Sequence, residues 1–300
     1  MKRLVLVAVL LTLSTPVLAQ EASEDESSQV QWRVGVSYFG LAYRPAIHET
    51  TRISLALSEQ VVTSLKNNEA YGYPLLLGVR FGHLDLELTH YDFTLPDAYF
   101  DTAFVSVVPL AFRSKYGTLR RQENELNAAY FFAFDGWSLG AGAGLRHIRT
   151  FSGDGDGVSS YVYDDVSTLG PQAIGRLEVP LGDFVTLRYG FDLFYTRGRR
   201  KFESVSNLIP FSFIWLSGAH GTRGVFFGYE HNLSLGFAVG NAEIMLGYRY
   251  IRSEFWFEHY YVNGLPYSSM FRANLNAAAI QTTSHPDRVE GLYFGITTDL

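Results

Sequence analysis

Read outward from Asp135-Gly136, the chain pairs Phe134 with Trp137, Phe132 with Leu139, Tyr130 with Ala141, Ala128 with Ala143 and Leu126 with Leu145, all apolar. The other face pairs Ala133 with Ser138, Phe131 with Gly140, Ala129 with Gly142, Asn127 with Gly144 and Glu125 with Arg146, and is small or polar. Alternation of period two on both sides of Asp-Gly predicts a β-hairpin. A type I′ turn there places both central residues at φ > 0.

Three further turns repeat the pattern. Gly82-His83 pairs Phe81 with Leu84, Val79 with Leu86 and Leu77 with Leu88, and sets Arg80 against Asp85 on the second face. Gly240-Asn241 pairs Val239 with Ala242, Phe237 with Ile244 and Leu235 with Leu246, with Asn232 facing Arg249. A three-residue loop at Gly182-Asp183-Phe184 pairs Leu181 with Val185 and Val179 with Leu187, leaving Glu178 opposite Arg188. Each hairpin has one apolar face and one face of glycine, small residues and ion pairs. A soluble sandwich would solvate its polar face with lysine, glutamate and threonine. A closed barrel in lipid explains glycine, arginine and acids better, because closure leaves no unpaired edge.

With tight turns on the periplasmic side and long loops outside, ten strands alternate in direction. They cover 31–43, 71–81, 84–94, 123–134, 137–148, 170–181, 185–196, 224–239, 242–257 and 288–300. Most reach the roughly 9 to 11 residues that a tilted strand needs to cross. Phe81, Phe134, Trp137, Phe184 and Phe237 mark one interfacial girdle, and Tyr43, Tyr91, Tyr195, Tyr250 and Trp256 the other. The fold expected is an all-β, transmembrane, antiparallel up-and-down barrel of ten strands. Residues 44–70, 95–122, 149–169, 197–223 and 258–287 are its long outer loops. Ile53, Leu57, Val61 and Leu65 fall at helical spacing, so the first loop is expected to hold a short helix. The apolar segments 102–112 and 208–216 are read as loop structure; as membrane strands they would raise the count to twelve.

The N-terminus fits export. Lys2-Arg3 precedes the apolar run 4–13, and Val17-Leu18-Ala19 makes a small-residue ending, which reads as a signal peptide over 1–19. Acidic residues 20–30 read as a disordered leader, and 31–300 as a single barrel domain. With no cysteine there is no disulfide framework. The formal charge of −6 argues against a nucleic-acid partner. Only Lys2, Lys66, Lys115 and Lys201 of the 24 basic residues are lysines; arginine forks suit carboxylate and phosphate where water is scarce.

On the signal peptide, the four tight hairpins and the final alternating strand of Leu292, Phe294 and Ile296, the chain resembles bacterial outer-membrane β-barrel proteins. The resemblance implies insertion by the barrel-assembly machinery, although such chains usually end in an aromatic residue and this one ends in Leu300. The strand count is similar to that of omptin surface proteases, whose paired aspartates and Asp-His couple find no match here.

The registers point Arg80, Asp85, Glu87, Glu125, Arg146, Glu178, Arg188, Glu243 and Arg249 inward, along with Arg33, Arg176, Asp192, Glu230 and Asp299. Such charges read as a mutually neutralising network that fills a narrow lumen. The alternative is a narrow pore lined by Arg80, Arg146, Arg188 and Arg249. Asp154 and Asp156, in a Gly-Asp alternation, resemble a calcium loop in composition without completing a motif. Arg197, Arg199, Arg200 and Lys201, with Arg120 and Arg121 in another loop, lie at the level of lipopolysaccharide phosphates and are expected to contact that lipid. His90, His147 and His259 lie at heights suited to catalysis, but no G-x-S-x-G motif accompanies them. No cofactor is expected. The role expected is non-enzymatic, surface or structural; the alternatives are passage of small or hydrophobic solutes and a lipid-modifying hydrolase.

Overall fold

The computed structural model describes residues 30–46, 60–105, 110–155, 160–209, 212–218, 223–259, 262–263 and 284–300. The segment expected to be a signal peptide, 1–19, and nearly all of the expected leader, 20–30, lie outside the described residues.

Ten positions close into a ring, all antiparallel. β1 (Val30–Arg44) is followed by a strand that Tyr73-Pro74 divides into β3 (Glu69–Gly72) and β4 (Leu75–Phe81). Then come β5 (Leu84–Val105), β6 (Leu110–Phe134), β7 (Trp137–Gly155), β8 (Ser160–Pro180) and β9 (Val185–Ile209). β11 (Arg223–Val239), β12 (Ala242–His259) and β14 (His285–Asp299) complete the circuit, and β14 returns to β1. Pro74 has no N–H for the ladder, but its carbonyl accepts from the Ser37 N–H at 3.0 Å, so the wall continues across the break. The chain is thus a β-barrel with ten strands around its circumference.

All four tight hairpins have the expected registers. Turn chemistry differs at Asp135-Gly136, where only Gly136 is left-handed, at φ +80°, so the turn is not type I′. At the Gly82-His83 and Gly240-Asn241 turns the glycine comes first, at φ +55° and +63°, as type II′ requires.

The strands run well past the membrane on the outer side. β9 has 25 residues, against the roughly 9 to 11 needed to cross. Segments expected as loops are therefore largely wall: 102–105 and 110–112 pair as the described end of the β5–β6 hairpin, with Phe104 opposite Leu110. Residues 208–209 end β9 and 212–216 belong to β10 (Ser212–Gly218), which pairs back on β9 and with β13 (Val262–Asn263). Neither adds a position to the ring. The expected helix is overturned at its second half, because 60–66 forms β2 (Gln60–Lys66) against β5, with Val61 opposite Phe104 and Leu65 opposite Phe100. β-Branched residues beside an open strand edge find ladder partners there that a lone helical turn lacks. Ile53 and Leu57 lie outside the described residues.

The wall has two zones of opposite polarity. Low on the barrel, Leu77, Leu88, Leu126, Phe132, Leu145, Phe237 and Leu246 are exposed outward, as a lipid-facing surface requires. Higher up the phase inverts. Leu95, Leu119, Ile148 and Val166 are buried inside, while Thr94, Arg120, Arg149 and Asp165 lie on the outer face. The upper wall is therefore packed like a water-soluble barrel. This corrects the outer girdle: Tyr43 is buried within, at 2% exposure, and Tyr91 lies beneath the Arg249 guanidinium, 3.6 Å from its ring centre. Tyr195 faces outward as expected.

Inside, the strands approach closely. A Cβ at Gly142 would sit 1.9 Å from the Ala128 carbonyl oxygen and 2.7 Å from the Ala129 Cα, both backbone atoms that cannot swing away. Gly142→Ala is expected to lower stability by roughly 1–3 kcal/mol, read as a lower temperature for conversion of the compact, fast-migrating gel band to the unfolded one.

Candidate functional site

From the periplasmic mouth upward the interior is layered. A vestibule of about 190 Å³ is lined by Arg33, Arg80, Asp85, Arg188 and Glu243 among others. Arg33 and Arg80 each reach Asp85, at 3.0 and 3.1 Å, and Arg33 also reaches Glu87 at 3.4 Å. Glu178 is shared by Arg80 at 3.6 Å and Arg188 at 3.4 Å, and Arg188 continues to Glu243 at 2.5 Å. Above lies a chamber of about 170 Å³, bordered by Glu87, Tyr91, Asn232 and Tyr293.

The roof of the chamber is an arginine–carboxylate cluster. Arg146 bonds Glu230 at 2.9 Å, Arg249 bonds both Glu125 and Glu230 at 2.8 Å, and Arg176 pairs with Asp192. Carboxylate oxygens of Glu125, Asp192 and Glu230 lie within 4.8 Å of one another, a spacing that could hold a metal ion. Three guanidiniums already take that place, relieving the like-charge repulsion and satisfying the acceptors. Of the charges expected in the lumen network all but Asp299 are paired within it; Asp299 lies exposed at the vestibule. The arginines expected to line a pore are all bound to carboxylates.

One layer higher, Arg121 lies between Glu123, at 2.5 Å, and Asp287. The Tyr43 hydroxyl and the Ala46 N–H both donate to Asp287 at 3.1 Å. Sequence reasoning placed Arg121 in an outer loop, where it would meet lipid; it is fully buried in the barrel. Its signal was the unbroken inward parity of Glu125, Glu123 and Arg121. Around it packs a dry core of Phe39, Phe93, Leu95, Ile148, Phe226 and Val289, with Leu95, Ile148 and Val289 at 0% exposure. Arg146 lies 4.2 Å over the Phe194 ring and so joins the ionic layer to the apolar one.

The lipid-contact set divides. Arg197, Arg199 and Lys201 are exposed on the outer face, Arg197 bonding Glu258 at 2.6 Å. Arg200 has the opposite parity: it is buried, bonds Asp164 at 2.6 Å and lies over Phe257. It therefore cannot meet a lipid phosphate. Arg120 is exposed and holds Asp92 at 2.9 Å. Asp154 belongs to the backbone of β7, opposite Val162; its carboxylate and all of Asp156 lie outside what the structure describes.

Two of the three singled-out histidines lie on the outer wall just above the last apolar row, Leu88–Leu126–Leu145–Pro171. The Asn124 amide bridges them, 2.7 Å from His90 Nδ1 and 3.1 Å from His147 Nδ1. His147 Nε2 lies 3.1 Å from Ser167 Oγ. Ser167 is a residue that sequence reasoning missed. The side chain of His259 lies outside the described residues.

Among solved structures, the chain is similar to the outer membrane protease OmpT of Escherichia coli (9% identity, 93% of this chain and 99% of that one, TM-score 0.49). It is also similar to OprG of Pseudomonas aeruginosa (8% identity, 91% and 96%, TM-score 0.33). A third is the toluene transporter TodX of Pseudomonas putida (8% identity, 96% and 92%, TM-score 0.34). No curated protein matches it in sequence. The model of the family described as "Predicted outer membrane protein, Leptospiraceae" matches residues 46–300, and the chain, an outer-membrane β-barrel protein, belongs to that family.

Proposed function

We propose that this barrel is a closed scaffold rather than a conduit: its interior holds the wall rigid, and its working surface is the outside. The observation that carries this reading is the packing of Arg121 and Arg146 together with Leu95, Ile148 and Val289 across the interior, all at 0% exposure. A solute crossing it would have to separate buried ion pairs and then pass through a dry core, each costly in a low-dielectric interior. The chamber opens toward the vestibule, with which it shares Arg33, Asp85, Arg188 and Glu243. It is the feature that favours the second reading, passage of small solutes. Liposome swelling separates the two. Vesicles carrying the full chain are expected to shrink and stay shrunken in an osmotic jump made with small sugars; reswelling at rates above empty vesicles would refute the closed barrel. Arg197, Arg199 and Lys201 remain the residues proposed to meet outer-leaflet lipid.

A further inference from the structure

We propose that the outer wall carries a lipid-ester hydrolase site with Ser167 as nucleophile, His147 as general base and Asn124 as the group that orients His147. The hydrogen-bonded series runs Ser167 Oγ, His147 Nε2, His147 Nδ1, Asn124, at 3.1 Å for each contact. That is a nucleophile, a base within reach of it and a third group fixing the base, the arrangement that activates serine on unrelated folds. Asn124 sits between two Nδ1 atoms, those of His90 and His147. In the structure Asn124 Oδ1 faces His90 Nδ1 and Nδ2 faces His147 Nδ1. With the amide turned end for end, an exchange of two groups of the same shape, Oδ1 accepts the His147 Nδ1–H and Nδ2 donates to His90. The tautomer then leaves His147 Nε2 free to accept the serine proton.

The surroundings select the substrate. In the transverse row of the wall Arg149, Ser167, Arg199 and Arg223 are successive cross-strand partners, so Ser167 has an arginine on each side. Arg199 directly faces Arg223, a like-charge pair that destabilises a sheet unless an anion lies between the two. Among the described residues neither is paired with a carboxylate. Four residues toward the periplasm on β8, Pro171 belongs to the apolar row. Cations just outside the hydrocarbon and a nucleophile between them fit an outer-leaflet glycerophospholipid: phosphate on Arg199 and Arg223, acyl chains along the wall, an ester carbonyl at Ser167.

The chemistry balances with water as the second reactant. His147 takes the Ser167 proton as Oγ attacks the ester carbonyl, and Arg199 faces the oxyanion that forms. Collapse breaks the bond to the glycerol oxygen, which takes the proton from His147 and leaves as a lysolipid. Water, deprotonated by His147, then releases the fatty acid, and the proton returns to Ser167.

The test uses the full chain in phosphatidylglycerol vesicles, with fatty-acid release and fluorophosphonate adducts both read by mass spectrometry. The wild type is expected to release fatty acid and to carry one adduct, on the peptide containing Ser167. Ser167→Ala is expected to lose both, and His147→Gln to slow release by about a thousandfold. Both side chains lie on the outer face, so the folded gel band should persist in each variant. Arg199→Gln is expected to raise KM for phosphatidylglycerol and also to lower kcat, because Arg199 faces the oxyanion. No release by folded wild-type protein, or release that survives Ser167→Ala, would overturn the proposal. Conductance bears on neither outcome, so a failure here leaves the closed-barrel reading standing.

Discussion

Arg146→Ala is expected to cost about 3–5 kcal/mol, the usual penalty for removing one partner of a buried ion pair. Arg146 is fully buried and within salt-bridge distance of Glu123, Glu125 and Glu230. Arg249 alone would then face Glu125 and Glu230, while Glu123 kept only Arg121. The unfolding midpoint in urea, followed on lipid vesicles by tryptophan fluorescence, reads the loss. Adding Glu230→Gln should restore part of it, because fewer uncompensated carboxylates remain. Destabilisation by the double variant equal to the sum of the two single effects would show that the two groups do not interact.

Phe194→Ala is the second large effect, expected at about 3–5 kcal/mol for a buried aromatic truncated to alanine. Phe194 is 1% exposed and belongs to the dry core, with the Arg146 guanidinium over its ring. Its loss removes both packing and a desolvated cation–π contact. A double-mutant cycle with Arg146 should therefore give a coupling well above zero. A cost below 1 kcal/mol would mean that the upper interior is not the close-packed layer described.

Much of this was legible because a strand has a period of two. Leu126 with Leu145 and Glu125 with Arg146 follow from one turn and simple alternation, and the same counting turned Arg80, Glu178, Arg188, Glu243 and Arg249 inward. What escaped was the change of phase. Residues 95–122 read as loop because a single extra membrane strand there would reverse the side of every later turn. Leu95 and Leu119 are nonetheless apolar on the inside, with Thr94 and Arg120 outside. Once the wall leaves the membrane, water replaces lipid as its outer solvent and the alternation survives with its sign reversed. Arg121 and Tyr43 were misplaced for that reason. Ser167 was hidden by it too: its contact with His147 is diagonal across β7 and β8, in a segment taken as loop, and appears only when Arg149 is known to face Ser167.

The closed interior is tested most directly by planar-bilayer recording of the purified full chain at neutral pH. The account predicts a flat baseline, without discrete steps, for the wild type at every voltage short of membrane rupture. Reproducible unitary openings in the wild type, abolished by the denaturing heat that converts the folded gel band, would contradict it.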